Sequence, residues 1–297
     1  MEHRRLGKTG LMVSPLGFGG SEIGYEEVAQ ATVSQLLNEA LDAGLNVIDT
    51  AECYRGSEEL IGKAVAHRRR EFYLFTKVGH MDGWSNPANW SKAGVLASLE
   101  RSLRRLKTDH VDLAQLHSCD RETLQRGECI EGLVEAQKRG YTRFLGYSGD
   151  GEDALEALKS GRFDTLQTSV NLADQQALSL LLPVALELNV GVIAKRPVAN
   201  AAWRDRERPV GEYHEPYWER LQALAYPQLQ GKEAFATALR FTLGQVAVHT
   251  AIVGTTRPGR WVENAKVAAL GRLPAAEEVQ LRARWAEVAK ADWVGQV

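Results

Sequence analysis

The stretch NVIDTAECYRGSEELIG, residues 46–62, opens on a short apolar run that closes at Asp49, passes through a polar loop holding Tyr54, and then takes up helical spacing. Ser57 followed by Glu58 and Glu59 predicts a helix start, with Ser57 as the cap and two acids facing the positive end of the helix dipole. Tyr54 is therefore expected on a β-to-α loop, with an ionisable residue at the strand end just before it.

The same rhythm runs outward in both directions. Further short apolar runs lie at 15–19, 72–76, 111–116, 142–146, 164–167, 191–194 and 250–253, separated by stretches of helical periodicity. Val33, Leu36, Leu37, Ala40 and Leu41 would share one helix face, as would Val95, Leu99, Leu103 and Leu106. Counting residues 46–49, this makes eight strands alternating with helices, an α/β pattern that closes most naturally into one (β/α)8 TIM barrel over residues 1–297. Residues 4–13, with the turn signal Lys8-Thr9-Gly10, predict a hairpin plugging the bottom of the barrel, and residues 275–291, with Leu281, Trp285 and Val288, an extra C-terminal helix. Two segments break the rhythm and are expected to be substrate-facing loops. Residues 78–91 hold Trp84 and Trp90; residues 199–230 hold Trp203, Tyr213, His214, Tyr217 and Trp218 without clear periodicity.

Composition narrows the partners. With 36 basic against 38 acidic residues and a net charge of −2, the chain carries no bulk signal for nucleic acid, and no apolar stretch is long enough for a bilayer. The basic N-terminus is followed by no apolar signal-peptide core, so a cytoplasmic protein is expected. Cys53, Cys119 and Cys129 form no CxxC pair and are read as free thiols. A small polar ligand is the expected partner.

Asp49, Lys77 and His117 each stand at the C-terminal end of a predicted strand, the face on which barrel enzymes build their sites. Singly they are weak signals, because strand ends carry caps, solvated lysines and structural histidines. With Tyr54 they compose a proton-transfer unit: an adjacent Lys77 ammonium is expected to lower the tyrosine pKa, Asp49 to hold Lys77, and a neutral His117 to orient a substrate oxygen.

These residues resemble a known family. The run at 46–62 is similar to the signature of the aldo-keto reductases; LAQLH at 113–117 resembles that family's histidine strand, and LGKTGLMVSPLGFG at 6–19 its N-terminal hairpin. The resemblance spans nearly the whole chain. It implies that Asp49, Tyr54, Lys77 and His117 are the family's tetrad, with Tyr54 the general acid for carbonyl reduction by hydride transfer, run in either direction.

It also implies the cofactor, NADPH with NADH as the alternative, which the residues alone do not suggest: the glycines at 17, 19 and 20 do not fit a GxGxxG fingerprint, so no Rossmann site is indicated. IVGTTRPGRWVEN at 252–264 resembles the family's adenosine-phosphate loop, in which Thr255, Arg260, Glu263 and Asn264 match. Gly254 stands where many members carry a lysine, so one cation for the 2′-phosphate is missing. Gly20 and Asp49 would also bind the cofactor, and Ser148 and Gln167 would hold the nicotinamide carboxamide; Gly149 replaces the usual Asn. After the seventh strand Lys195 and Arg196 replace the stacking aromatic, and either meet the cofactor or are strand-end charges in solvent. The resemblance implies a monomer acting on a small carbonyl or alcohol substrate. Two other readings stay open: a slow nucleotide-binding regulatory subunit on the same barrel, and a metal-dependent barrel hydrolase, which lacks an HxH or HExxH pair.

Overall fold

The computed structural model describes residues 2–81, 83 and 86–296. The predicted Trp84 of the first irregular loop lies outside the described residues. A two-stranded antiparallel ribbon, β1 (Arg4–Arg5) and β2 (Met12–Val13), precedes the barrel. The barrel strands are β3 (Leu16–Gly19), β4 (Val47–Asp49), β5 (Tyr73–Val78), β6 (Val111–His117), β7 (Thr142–Ser148), β8 (Thr165–Ser169), β9 (Gly191–Lys195) and β10 (Val248–Gly254). All pair in parallel in sequence order, and β10 closes the ring between β9 and β3. The eight apolar runs are these eight strands, so the fold is the α/β barrel expected.

Alternation along the strands divides the interior into two layers. Val47, Phe75, Leu113 and Ile193 pack with Leu6, Leu11 and Val13 of the ribbon in one buried apolar cluster, so the hairpin plugs the bottom. Two residues further along the same strands stand Asp49, Lys77, Gln115 and Lys195, all buried and all polar. The barrel is thus dry at its base and polar at its C-terminal mouth. Outside the sheet, the helix Gln30–Asp42 buries Val33, Leu36, Leu37, Ala40 and Leu41. The helix Lys92–Leu106 buries Val95, Leu99, Leu103 and Leu106 and is capped by Ser91, whose hydroxyl accepts from Gly94 N at 3.0 Å.

Two local expectations change. Ser57 is the first residue of the helix Ser57–Val65, not its cap; the cap position is Gly56, at φ 66°, where glycine bears the left-handed turn without strain. The Ser57 hydroxyl instead donates to Gly20 O at 2.7 Å, tying the β3 loop to the β4 loop. Residues 199–230 are not irregular throughout: Glu215–Leu224 is a helix with Pro216 in its first turn, and it buries Tyr217, Leu221 and Leu224. The last helix, Ala275–Val288, packs Leu281, Trp285 and Val288 against that same cluster, and the chain beyond it returns to the mouth. There Val294 O accepts from the Arg220 guanidinium at 2.7 Å, and a Cβ built on Gly295 would overlap the Asp150 carboxylate. The C-terminal tail is therefore part of the rim.

Candidate active site

Strand register assembles the site. Gly19 pairs with Asp49, Lys77 with Gln115, His117 with Ser148, and Ser148 with Gln167, so these side chains form a band around the mouth. Lys77 and His117 lie within the last two residues of their strands rather than just after them. Asp49 and Lys77 are each 1% exposed and form a direct ion pair. Lys77 Nζ also donates to Thr50 O at 2.9 Å and lies 3.5 Å from the Tyr54 hydroxyl. The other Asp49 oxygen accepts from Gln115 Nε2 at 3.1 Å and Gln167 Nε2 at 2.9 Å. Two charges so deeply buried persist only when paired and hydrogen-bonded on all sides, which is how this pair is met.

Tyr54 presents its ring edge-on to His117, with centroids 5.9 Å apart and planes at 82°. Contrary to the expected lowering by Lys77, burial and then the Asp49 charge push the Tyr54 phenol well above its ordinary 10. The reason is that Asp49 neutralises Lys77, leaving desolvation to dominate. His117 is held well below 6.5, by burial first and then by Lys77, His80, Lys195 and Arg196. The neutral imidazole expected of His117 follows from burial first and from that cationic surround second. The site therefore holds a protonated phenol beside a neutral imidazole, the combination needed to polarise and protonate a carbonyl oxygen. Cys53 Sγ is 3.5 Å from His117 Nδ1, and burial pushes its thiol up to about 12.

One residue of the opening stretch carries a role that sequence reading missed. The Glu52 carboxylate accepts from Gly79 N and His80 N at 2.7 Å each, from the Ser98 hydroxyl, and from Arg101 at 3.2 Å. It fixes the β5 loop, whose His80 reaches the His117 carbonyl at 2.6 Å and packs on Trp90 with centroids 5.3 Å apart. Nothing local marks Glu52, because its partners lie 27 or more residues away.

Ser148 donates its hydroxyl to Gln167 Oε1 at 3.2 Å, so both expected carboxamide-holding residues lie side by side. Lys195 and Arg196 are not solvated strand-end charges. Lys195 pairs with Asp150 at 2.8 Å, and burial lowers its pKa to about 8. Arg196 lies over the Tyr213 ring, bonds its hydroxyl, and donates to Ser169 Oγ at 2.8 Å. Asn171 bridges to Asp174 and accepts from Ala173 N at 2.8 Å, a structural part.

At the other end of the mouth, Gly254 ends β10, and the helix Arg260–Ala268 begins after a loop. Arg260 and Arg257 both pair with Glu263, at 2.8 and 2.7 Å. Asn264 is 2% exposed, and its side-chain oxygen has no hydrogen-bond partner among the described residues. An unmet buried acceptor near the start of a helix that follows a barrel loop fits a dinucleotide, whose adenine amino group donates. Among the described residues no group of His, Cys, Asp and Glu is disposed to hold a metal, and no helix is long and apolar enough to cross a membrane.

Comparison with known proteins agrees with this geometry. The sequence profile described as the Aldo/keto reductase family matches residues 15–285, and the chain belongs to that family. It is 30% identical over 291 residues to the uncharacterized oxidoreductase YqkF of Bacillus subtilis (strain 168), covering 92% of this chain and 93% of that protein. It is 30% identical over 283 residues to L-galactose dehydrogenase of Arabidopsis thaliana, covering 89% and 87%. The holo form of aldo-keto reductase AKR11C1 from Bacillus halodurans superposes with a TM-score of 0.83 at 29% identity, over 96% of each chain. The chain is accordingly an oxidoreductase of carbonyl and alcohol groups that works with a nicotinamide cofactor.

Proposed function

We propose that the protein interconverts an aldehyde or ketone and its alcohol with Tyr54 as the acid and base, using NADPH or NADH. The observation that carries this reading is the Tyr54 hydroxyl 3.5 Å from Lys77 Nζ, with His117 edge-on to its ring. When bound, the dinucleotide supplies or accepts the hydride at the substrate carbon. Ser148 and Gln167 would hold its carboxamide, and Thr255, Arg260, Glu263 and Asn264 its adenosine end. His117 donates a hydrogen bond to the substrate oxygen and Tyr54 delivers the proton to it. Lys77 and Asp49 keep the phenol oriented without a net charge that would compete with the oxygen. In oxidation the same groups take the proton back.

The substrate class is a small hydroxylated carbonyl compound or its cyclic hemiacetal. The L-galactose dehydrogenase likeness supports it, as do the buried donors and acceptors of the mouth, which suit hydroxyl groups. The intact four-residue set speaks against a regulatory subunit without turnover. The test is titration with NADPH and with NADH by quenching of tryptophan fluorescence, followed by turnover assays on aldoses, hydroxyaldehydes and benzaldehyde. Submillimolar binding with turnover of at least one class is expected; binding of neither dinucleotide would overturn the reading.

A further inference from the structure

The Glu22 carboxylate lies directly over Gly254, where a Cβ built on the glycine would fall inside it. This apposition joins two loops that the closure of β10 on β3 brings side by side, through the Gly254 and Gly19 pairing. Glu22 belongs to the short helix Ser21–Tyr25, and its carboxylate accepts from the Ser21 hydroxyl at 2.8 Å. Among the described residues no cation pairs with it. Burial pushes its carboxyl upward, while the Ser21 hydrogen bond acts the other way.

The rest of this loop is balanced toward acid. Glu39 accepts from Gly259 N at 2.9 Å, taking an amide that precedes the first turn of the helix Arg260–Ala268. Glu263 engages both Arg257 and Arg260. Three carboxylates thus face the loop against two arginines, and both arginines are engaged by the single Glu263 carboxylate. A phosphate monoester needs a surplus of cations, whereas a ribose diol needs acceptors, which carboxylates supply.

Resting on the dinucleotide reading above, we infer that Glu22 sets the cofactor preference, repelling a 2′-phosphate and thereby favouring NADH over NADPH. The repulsive element is as much a part of selectivity as the attractive one. The wild-type protein is then expected to bind NADH at least as tightly as NADPH. Replacing the charge in Glu22→Gln should tighten NADPH about tenfold and move NADH by less than about twofold, the scale of one like-charge contact relieved.

The experiment is fluorescence titration of the full chain with each dinucleotide, for wild type, Glu22→Gln and Glu22→Ala, at constant ionic strength. Selective gain of NADPH affinity in both variants supports the assignment. Equal changes for both cofactors, or none, overturn it while leaving the dinucleotide site in place. If wild type binds neither, the dinucleotide reading itself falls and the assignment falls with it. Circular dichroism melts of the variants identify any that fail to fold, and Glu22→Gln keeps the shape should the alanine variant do so.

Discussion

Lys77 Nζ stands 3.5 Å from the Tyr54 hydroxyl and 5.0 Å from the centre of its ring. The ammonium therefore touches the phenol both at its oxygen and over its π face. Because the same ammonium is paired with Asp49, its field at the phenol is largely cancelled, and the tyrosine keeps its proton until a reaction draws it away.

Removing the phenol oxygen isolates that role. Tyr54→Phe is expected to lower kcat by roughly 10²–10⁴ in carbonyl reduction, the usual worth of a positioned acid, while the dissociation constant for the dinucleotide changes by less than about twofold. Single-turnover kinetics together with fluorescence titration separate the two. Retained turnover would remove Tyr54 from the chemistry.

Turnover should be indifferent to pH across the range where histidines normally titrate. Burial and neighbouring cations hold His117 well below 6.5, and Tyr54 is held well above 10, so neither changes charge between pH 6 and 8. The kcat profile for reduction is expected to show no inflection from His117 near 6.5, whereas Lys195, lowered to about 8, is the mouth group that titrates above neutrality.

Stability carries the complementary signature. Unfolded His117 takes a proton near its ordinary pKa but folded His117 does not, so below pH 6.5 the unfolded chain binds more protons and its stabilising contribution is lost as pH falls. Asp174, raised to about 7 by burial, works with the opposite sign, so the measurement must be a difference. The unfolding free energy of wild type minus that of His117→Gln, both from urea denaturation, is expected to be constant above pH 7 and to decrease from pH 6.5 to 5, by at most about 1.4 kcal/mol per pH unit. A constant difference would mean that His117 titrates alike in both states.

Cys53 is adjacent to Tyr54 in sequence but should be chemically quiet. With its thiol pushed up to about 12, the thiolate fraction at neutral pH is smaller than that of an ordinary cysteine by about a thousandfold. Iodoacetamide labelling followed by peptide mass mapping should find Cys53 unmodified on the timescale that alkylates free glutathione. Fast labelling would mean that the ammonium outweighs burial.

Glu52 is expected to matter for folding before it matters for rate. Its side chain is fully buried, and Glu52→Ala would strip the Gly79 and His80 amides and Arg101 of their common partner. A loss of about 3–5 kcal/mol is expected by urea denaturation, as for other broken buried pairs. A loss below about 1 kcal/mol would show that water replaces the carboxylate.

The contrast between Glu52 and Asp49 explains what could be read beforehand. Asp49, Lys77 and His117 were legible because each stands at the end of a short apolar run, and Tyr54 because the stretch around it resembles a family signature. The eight strands were legible for the same reason. Glu52 and Glu22 were not, since their meaning lies in partners brought close by barrel closure, and a glutamate in a loop looks the same whether solvated or buried. The Tyr54 pKa was misjudged because one neighbour was counted without the charge that cancels it. The helix Glu215–Leu224 was hidden by its proline and its mixed faces, as its apolar residues meet the C-terminal helix rather than the sheet.

The amide of Gln167 gives its nitrogen to Asp49 and receives the Ser148 hydroxyl on its oxygen. With both ends engaged, this side chain has little reason to wander, and a ligand amide must compete with partners already at 2.9 and 3.2 Å. Weakly fitting molecules that offer only one donor or acceptor exchange one bond for another and gain nothing. A group able to replace both at once would turn that residue over at no loss, so a ligand that meets Gln167 would be selected by bond-for-bond exchange.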